Sequence, residues 1–119
     1  MNVAVIGASD KKNRYSYMAF SLLKEKGHQA FPVHRRVKEI EGNPVYSSIA
    51  EIKEPVDTVT LYVGANISTL MGDDILAMKP KRVIFNPGAE NPDLEARLKE
   101  AGIKPVNSCT IVMLKTGQF

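Results

Sequence analysis

The residues able to do chemistry in this chain are few, and they gather in short segments that each follow an apolar run. These are Gly7-Ala8-Ser9-Asp10, His34-Arg35-Arg36, Gly64-Ala65-Asn66 and Asn86-Pro87-Gly88. The first suits an anion. Free N–H groups at a helix start, aided by the helix dipole, bind phosphate. Gly7 allows the tight turn, Ser9 adds a hydroxyl, and Lys11, Lys12, Asn13 and Arg14 lengthen the loop and supply cations for a polyphosphate. The G-x-G-x-x-G fingerprint is not met, because Ser9 and Lys12 hold the second and third glycine positions. A dinucleotide lying flush along this loop is therefore disfavoured.

The second segment discriminates between ligands. An NAD site wants an acid there for the ribose 2′-hydroxyl, whereas this chain places His34, Arg35 and Arg36, with Lys38 close behind. Such cations suit a ribose that carries a phosphate, which describes NADP and coenzyme A. Acid–base or nucleophilic groups are sparse. His28 follows a helix stop, His34 has no partner that spacing can place beside it and serves as a phosphate donor, and Cys109 opens a last short helix. No H-E-x-x-H, G-x-S-x-G or G-x-x-x-x-G-K-[ST] pattern occurs.

The elements that must position these loops alternate between short β runs and helical patterns, the order of a parallel α/β sheet. Strands are expected from Asn2 to Gly7, His28 to His34, Val56 to Val63, Lys81 to Asn86 and Lys104 to Asn107, with Asn43 to Tyr46 at most a short edge strand. The first helix presents Tyr15, Met18, Ala19, Leu22 and Leu23 inward and stops at Gly27. Ser47 or Ser48 caps a brief helix through Ile52. A helix capped by Asn66 turns Ile67, Leu70, Met71, Ile75 and Met78 inward, another begins at Asn91-Pro92, and a last one covers Cys109 to Leu114. The expected fold is a doubly wound, Rossmann-like three-layer α/β/α sheet with strand order 3-2-1-4-5-6. Ligands then lie beyond the carboxyl ends of the strands, which is where the segments above fall.

A chain of 119 residues with 44% hydrophobic and 24% charged residues is expected to form one domain over 1–119, with no room for a separate substrate domain. Sixteen Lys and Arg against 13 Asp and Glu give a net charge of +3, too slight and too interspersed for a nucleic-acid face. The lone Cys109 excludes an internal disulfide and any CxxC pair, and makes a reducing, cytoplasmic setting the expectation. Met1-Asn2 runs straight into Val3-Ala4-Val5-Ile6, so neither a signal peptide nor a membrane helix is expected.

An ordered set of pieces resembles the small stand-alone CoA-binding proteins, similar to the N-terminal CoA-binding domain of the succinyl-CoA synthetase alpha subunit. The pieces are Val5-Ile6-Gly7-Ala8-Ser9, Asn13-Arg14-Tyr15-Ser16, Gly27-His28, Phe31-Pro32-Val33-His34, Ile40-Glu41-Gly42, Val45-Tyr46-Ser47-Ser48-Ile49, Val56-Asp57, Asn86-Pro87-Gly88-Ala89, Ala101-Gly102-Ile103 and Cys109. The resemblance implies that Gly7, Ala8 and Ser9 hold phosphate beside Arg14, Tyr15 and Ser16. It implies that His34, Arg35, Arg36 or Lys38 meets the nucleotide end, and that Gly64 with Asn86, Pro87 and Gly88 lines the wall toward the pantetheine arm. The family often has Asn-Pro after the second strand, where this chain has His34-Arg35. The synthetase's phosphorylated histidine lies in a different domain, so a non-catalytic module binding CoA or acyl-CoA is the expectation, with an NADP-binding reductase or redox sensor as the alternative. The edge near Val45 and the Met71–Met78 helix suit a homodimer.

Overall fold

The computed structural model describes residues 1–119. Strands β1 (Asn2–Ile6), β2 (Gln29–Val33), β5 (Thr58–Leu61), β6 (Arg82–Phe85) and β7 (Lys104–Asn107) form a sheet in the order β2-β1-β5-β6-β7. Every pairing in it is parallel. Between β2 and β5 the chain makes a small separate hairpin of β3 (Glu39–Ile40) and β4 (Asn43–Pro44), then a turn of 3₁₀ helix at Ile49–Glu51. Helix α1 (Tyr15–Glu25) follows β1, α2 (Ala65–Leu70) and α3 (Gly72–Met78) follow β5, α4 (Pro92–Glu100) follows β6, and α5 (Thr110–Lys115) follows β7.

The sheet is covered on both faces because its central strands are apolar on both. Along β1, Val3 and Val5 join Phe20, Leu23 and Leu114 of the α1 and α5 layer, while Ala4 and Ile6 join Ile75, Leu94 and Leu98 of the α3 and α4 layer. The chain winds outward in both directions from the β1–β5 pair, so the arrangement is doubly wound and Rossmann-like as the alternation predicts. The anticipated edge strand is reduced to a single bridge. Tyr46 N–H donates to Pro32 O at 2.9 Å and His34 N–H to Tyr46 O at 2.9 Å, and no ladder follows. Residues before it turn instead into the β3–β4 hairpin, whose two turn residues, Glu41 (φ 49°) and Gly42 (φ 77°), adopt the left-handed pair that a two-residue hairpin requires.

Two helices differ from the expected pattern. α1 buries Ser16, Ala19, Phe20 and Leu23, and leaves Tyr15 and Met18 exposed, which rotates its inward face by one position. The same spacing fits both faces, and the large Phe20 ring decides between them by the area it buries. The second difference is a break. The helix expected to run from Asn66 begins after Gly64 and divides at Met71 into α2 and α3, leaving Ile67 and Leu70 exposed. Its buried face is polar: Asn91 Nδ2 donates to Ala65 O (3.2 Å), Ser68 Oγ (2.8 Å) and Thr69 Oγ1 (3.0 Å), while Asn91 Oδ1 caps α4 by accepting from Leu94 N–H. Gly72 follows the break, and the Arg97 guanidinium lies over it, in the space a Cβ would enter. No helix is long and apolar enough to cross a membrane.

Candidate functional site

A cleft of about 520 Å³ opens at the carboxyl ends of β1, β2 and β5, at the point where the winding direction reverses. The β1–α1 connection supplies Gly7 to Lys11 and Arg14 to Ser16, the chain after β2 supplies His34 and Val37, and the end of β5 supplies Tyr62 and Val63. Gly7 has φ +83°, and a Cβ there would lie 2.8 Å from Val63 Cγ1 and 2.9 Å from Tyr62 O. Only glycine fits the turn and the close approach together.

The free backbone donors are distributed differently from the expectation. Gly7 and Ala8 line the cleft, but both of their N–H groups donate to Val33 O, at 3.1 and 3.2 Å, and fasten the loop to β2. Ser9 Oγ accepts from Lys11 N–H at 3.1 Å. The open donors lie one turn further on. Arg14, at the N-cap of α1, makes no side-chain cap bond, and the first turn carries no acid. The N–H groups of Tyr15, Ser16 and Tyr17 have no acceptor within the protein. An eleven-residue helix thus directs uncapped N–H groups and its positive dipole end at the cleft, beside Arg14 and Lys11.

After β2, His34 Nδ1 accepts from the N–H groups of Arg36 (3.0 Å) and Val37 (3.1 Å). An asparagine side chain makes the same local bond at a turn, so His34 here does the work of a turn-forming residue. With Nδ1 accepting, the ring proton stands on Nε2, a donor. Arg35, Arg36 and Lys38 are exposed on the strap that leaves the cleft and do not line it.

The residues expected at the far wall lie outside this cleft. Asn86 is buried at 2% exposure, and its side chain is fully occupied inside the fold. Nδ2 donates to Thr60 Oγ1 (2.7 Å) and Leu61 O (2.8 Å), and Oδ1 accepts from Thr110 N–H (2.9 Å). Gly64 caps α2, and Pro87 and Gly88 are exposed on the next loop; none of the three lines the cleft.

Tyr62, Val63 and Val37 line the cleft although neither composition nor spacing singles them out. For the first two the available signal is position, since they end an apolar strand at the crevice. The Tyr62 hydroxyl is buried without a hydrogen-bond partner. Burial, then the neighbouring Cys109, pushes its phenol up to about 12, and the Thr60 and Thr110 hydroxyls, bonded to one another at 2.7 Å, oppose the shift only partly. A raised folded value means that the folded state holds this proton while the unfolded chain releases it near pH 10. The stabilisation is therefore complete below pH 10 and is lost as pH rises from 10 toward 12. Absorbance titration at about 295 nm should show one tyrosine ionising together with alkaline unfolding, and Tyr62→Phe should remove that step.

The family described as the CoA binding domain matches residues 1–115. The chain belongs to this family. This CoA binding domain is 27% identical over 100 residues to the uncharacterized protein YneT of Bacillus subtilis, covering 84% of this chain and 74% of that one. It is 39% identical over 62 residues to the acetate–CoA ligase (ADP-forming) II subunit alpha of Pyrococcus furiosus, a stretch that is 51% of this chain and only 14% of the subunit. Its fold matches a crystal structure of an uncharacterized protein with TM-score 0.94 and 46% identity, over 99% of this chain and 97% of that one. The resemblance drawn from the ordered sequence pieces is borne out at the level of the family.

Proposed function

We propose that this CoA binding domain holds coenzyme A or an acyl-CoA without transforming it. The pyrophosphate sits on the first turn of α1 and the loop after β1, and the ribose 3′-phosphate meets the basic strap after β2. The observation that carries the reading is the uncapped N-terminus of α1 opening into the cleft, with no acid in its first turn and with Arg14 and Lys11 at its rim. Gly7 and Ala8 shape the floor, and Ser9, Tyr15 and Ser16 contact the phosphates. His34 adds its Nε2–H, since the occupied Nδ1 makes the ring a donor rather than a base. Arg35, Arg36 and Lys38 reach the 3′-phosphate from the rim. A small-ligand carrier or sensor role follows.

Calorimetric titration with CoA, dephospho-CoA, acetyl-CoA and NADP tests the reading. Loss of multi-donor contacts to the 3′-phosphate should weaken dephospho-CoA by about tenfold or more, equivalent to roughly 1.5–3 kcal/mol. CoA and dephospho-CoA binding equally well would remove the strap from the site. Heat from NADP alone would replace CoA as the ligand.

A further inference from the structure

We infer that Glu41 is a positioning residue that fixes the basic strap against α1 and thereby sets the selectivity for a nucleotide bearing a 3′-phosphate. The inference deepens the proposed CoA site and rests on it. Glu41 stands at the tip of the β3–β4 hairpin with φ 49°, a left-handed conformation in which glutamate is rare and which glycine, asparagine or aspartate usually fills. Such a residue persists where its surroundings hold it. Here they do. Tyr17 Oη donates to Glu41 Oε1 at 2.6 Å and Ser21 Oγ donates to the same oxygen at 2.7 Å. These bonds, with Lys24 and Lys12 nearby, hold the Glu41 carboxyl below the usual carboxylate range.

Both ends of the latch lead to the cleft. Tyr17 is the third residue of α1, and its own N–H is one of the unpaired first-turn donors. On the other side, Lys38 O accepts from Val45 N–H at 3.0 Å, which clamps the strap's end to the hairpin, while His34 Nδ1 fastens its start. Arg35, Arg36 and Lys38 are thus carried on a segment tied at both ends, and Glu41 joins that segment to the helix that receives the pyrophosphate. Two anion sites at a fixed separation can engage one ligand together without the ordering loss that a free strap would impose.

The test compares Glu41→Gly, Glu41→Gln and Tyr17→Phe with the unaltered chain by titration with CoA and dephospho-CoA, alongside thermal melts. Glycine relaxes the turn, so Glu41→Gly removes the latch and leaves the hairpin foldable. Its preference for CoA should fall from about tenfold to about twofold, while dephospho-CoA binds within about twofold of its original affinity. Glu41→Gln retains a side-chain oxygen for Tyr17 and should keep most of the preference, and Tyr17→Phe should fall between. Full preference in Glu41→Gly overturns the inference alone. Equal loss of both ligands with a lowered melting temperature also overturns it, because the role is then only structural. No preference in the unaltered chain overturns the proposed 3′-phosphate site and this inference with it.

Discussion

Gly7→Ala is expected to lower the stability of the fold by about 2–4 kcal/mol, with a fall in melting temperature of roughly 10 °C. Two terms add. An alanine at φ +83° is strained by roughly 1–2 kcal/mol. Its methyl group also meets Val63 Cγ1 at 2.8 Å and Tyr62 O at 2.9 Å, and the second of these belongs to the backbone at the end of β5 and cannot swing aside. Gly42→Ala separates the terms, because Gly42 has φ +77° and its new methyl group would find nothing within 4 Å. It should show the strain alone. Thermal melts followed by circular dichroism decide the matter: similar losses at both glycines would mean that the approach of the β1–α1 loop to Tyr62 and Val63 is not a constraint. Affinity for CoA should drop in Gly7→Ala as well, since the displaced loop carries the mouth of α1.

Asn86→Ala is expected to destabilise by about 3 kcal/mol, because it removes three buried hydrogen bonds at once and leaves the Thr110 N–H without an acceptor. Thr110 N–H loses its acceptor at the start of α5, while Leu61 O and Thr60 Oγ1 each lose one of two partners, keeping the Asn86 backbone N–H and the Thr110 hydroxyl. Water cannot reach these groups to replace the bonds, as Thr60 and Thr110 are 0% exposed. Pro87→Ala on the neighbouring exposed loop should stay within roughly 0.5 kcal/mol of the original. At a temperature where Asn86→Ala remains folded, its affinity for CoA should be close to that of the unaltered chain. A variant that melts normally and loses CoA would instead make Asn86 a wall of the binding site.

The contrast at Asn86 shows what residue types reveal and what they conceal. Strand runs such as Val3-Ala4-Val5-Ile6 are legible because a central parallel strand is apolar on both faces, and the chain order then follows from handedness. The loops at the carboxyl ends are legible for the same reason, and Gly7, Ser9, Arg14 and His34 do meet in one cleft. The use of each polar side chain was not legible. Asn91 caps α4 as its type predicts, but Asn86 and the amide nitrogen of Asn91 also serve as struts between elements far apart in sequence, a role visible only when Thr110 and Ser68 come into reach. Helix faces are ambiguous in a similar way: hydrophobic spacing in α1 and α2 admits more than one inward face, and the choice belongs to Phe20 and to the Asn91 clamp. His34 hid its role because a ring that accepts two local N–H bonds is indistinguishable in sequence from a free base.

The sheet's two outer strands each contain a proline, Pro32 in β2 and Pro105 in β7. In β7, Lys104 and Ser108 N–H groups point inward to Lys81 O and Phe85 O, so the alternation turns the Pro105 nitrogen outward. In β2, Gln29 N–H points inward to Met1 O and His34 N–H outward to Tyr46 O, which places the Pro32 nitrogen outward as well. Each flank therefore lacks one hydrogen-bond donor where an incoming strand would dock, and on the β2 side Tyr46 already takes the neighbouring bonds, so both edges are blunted against an amyloid-like extension.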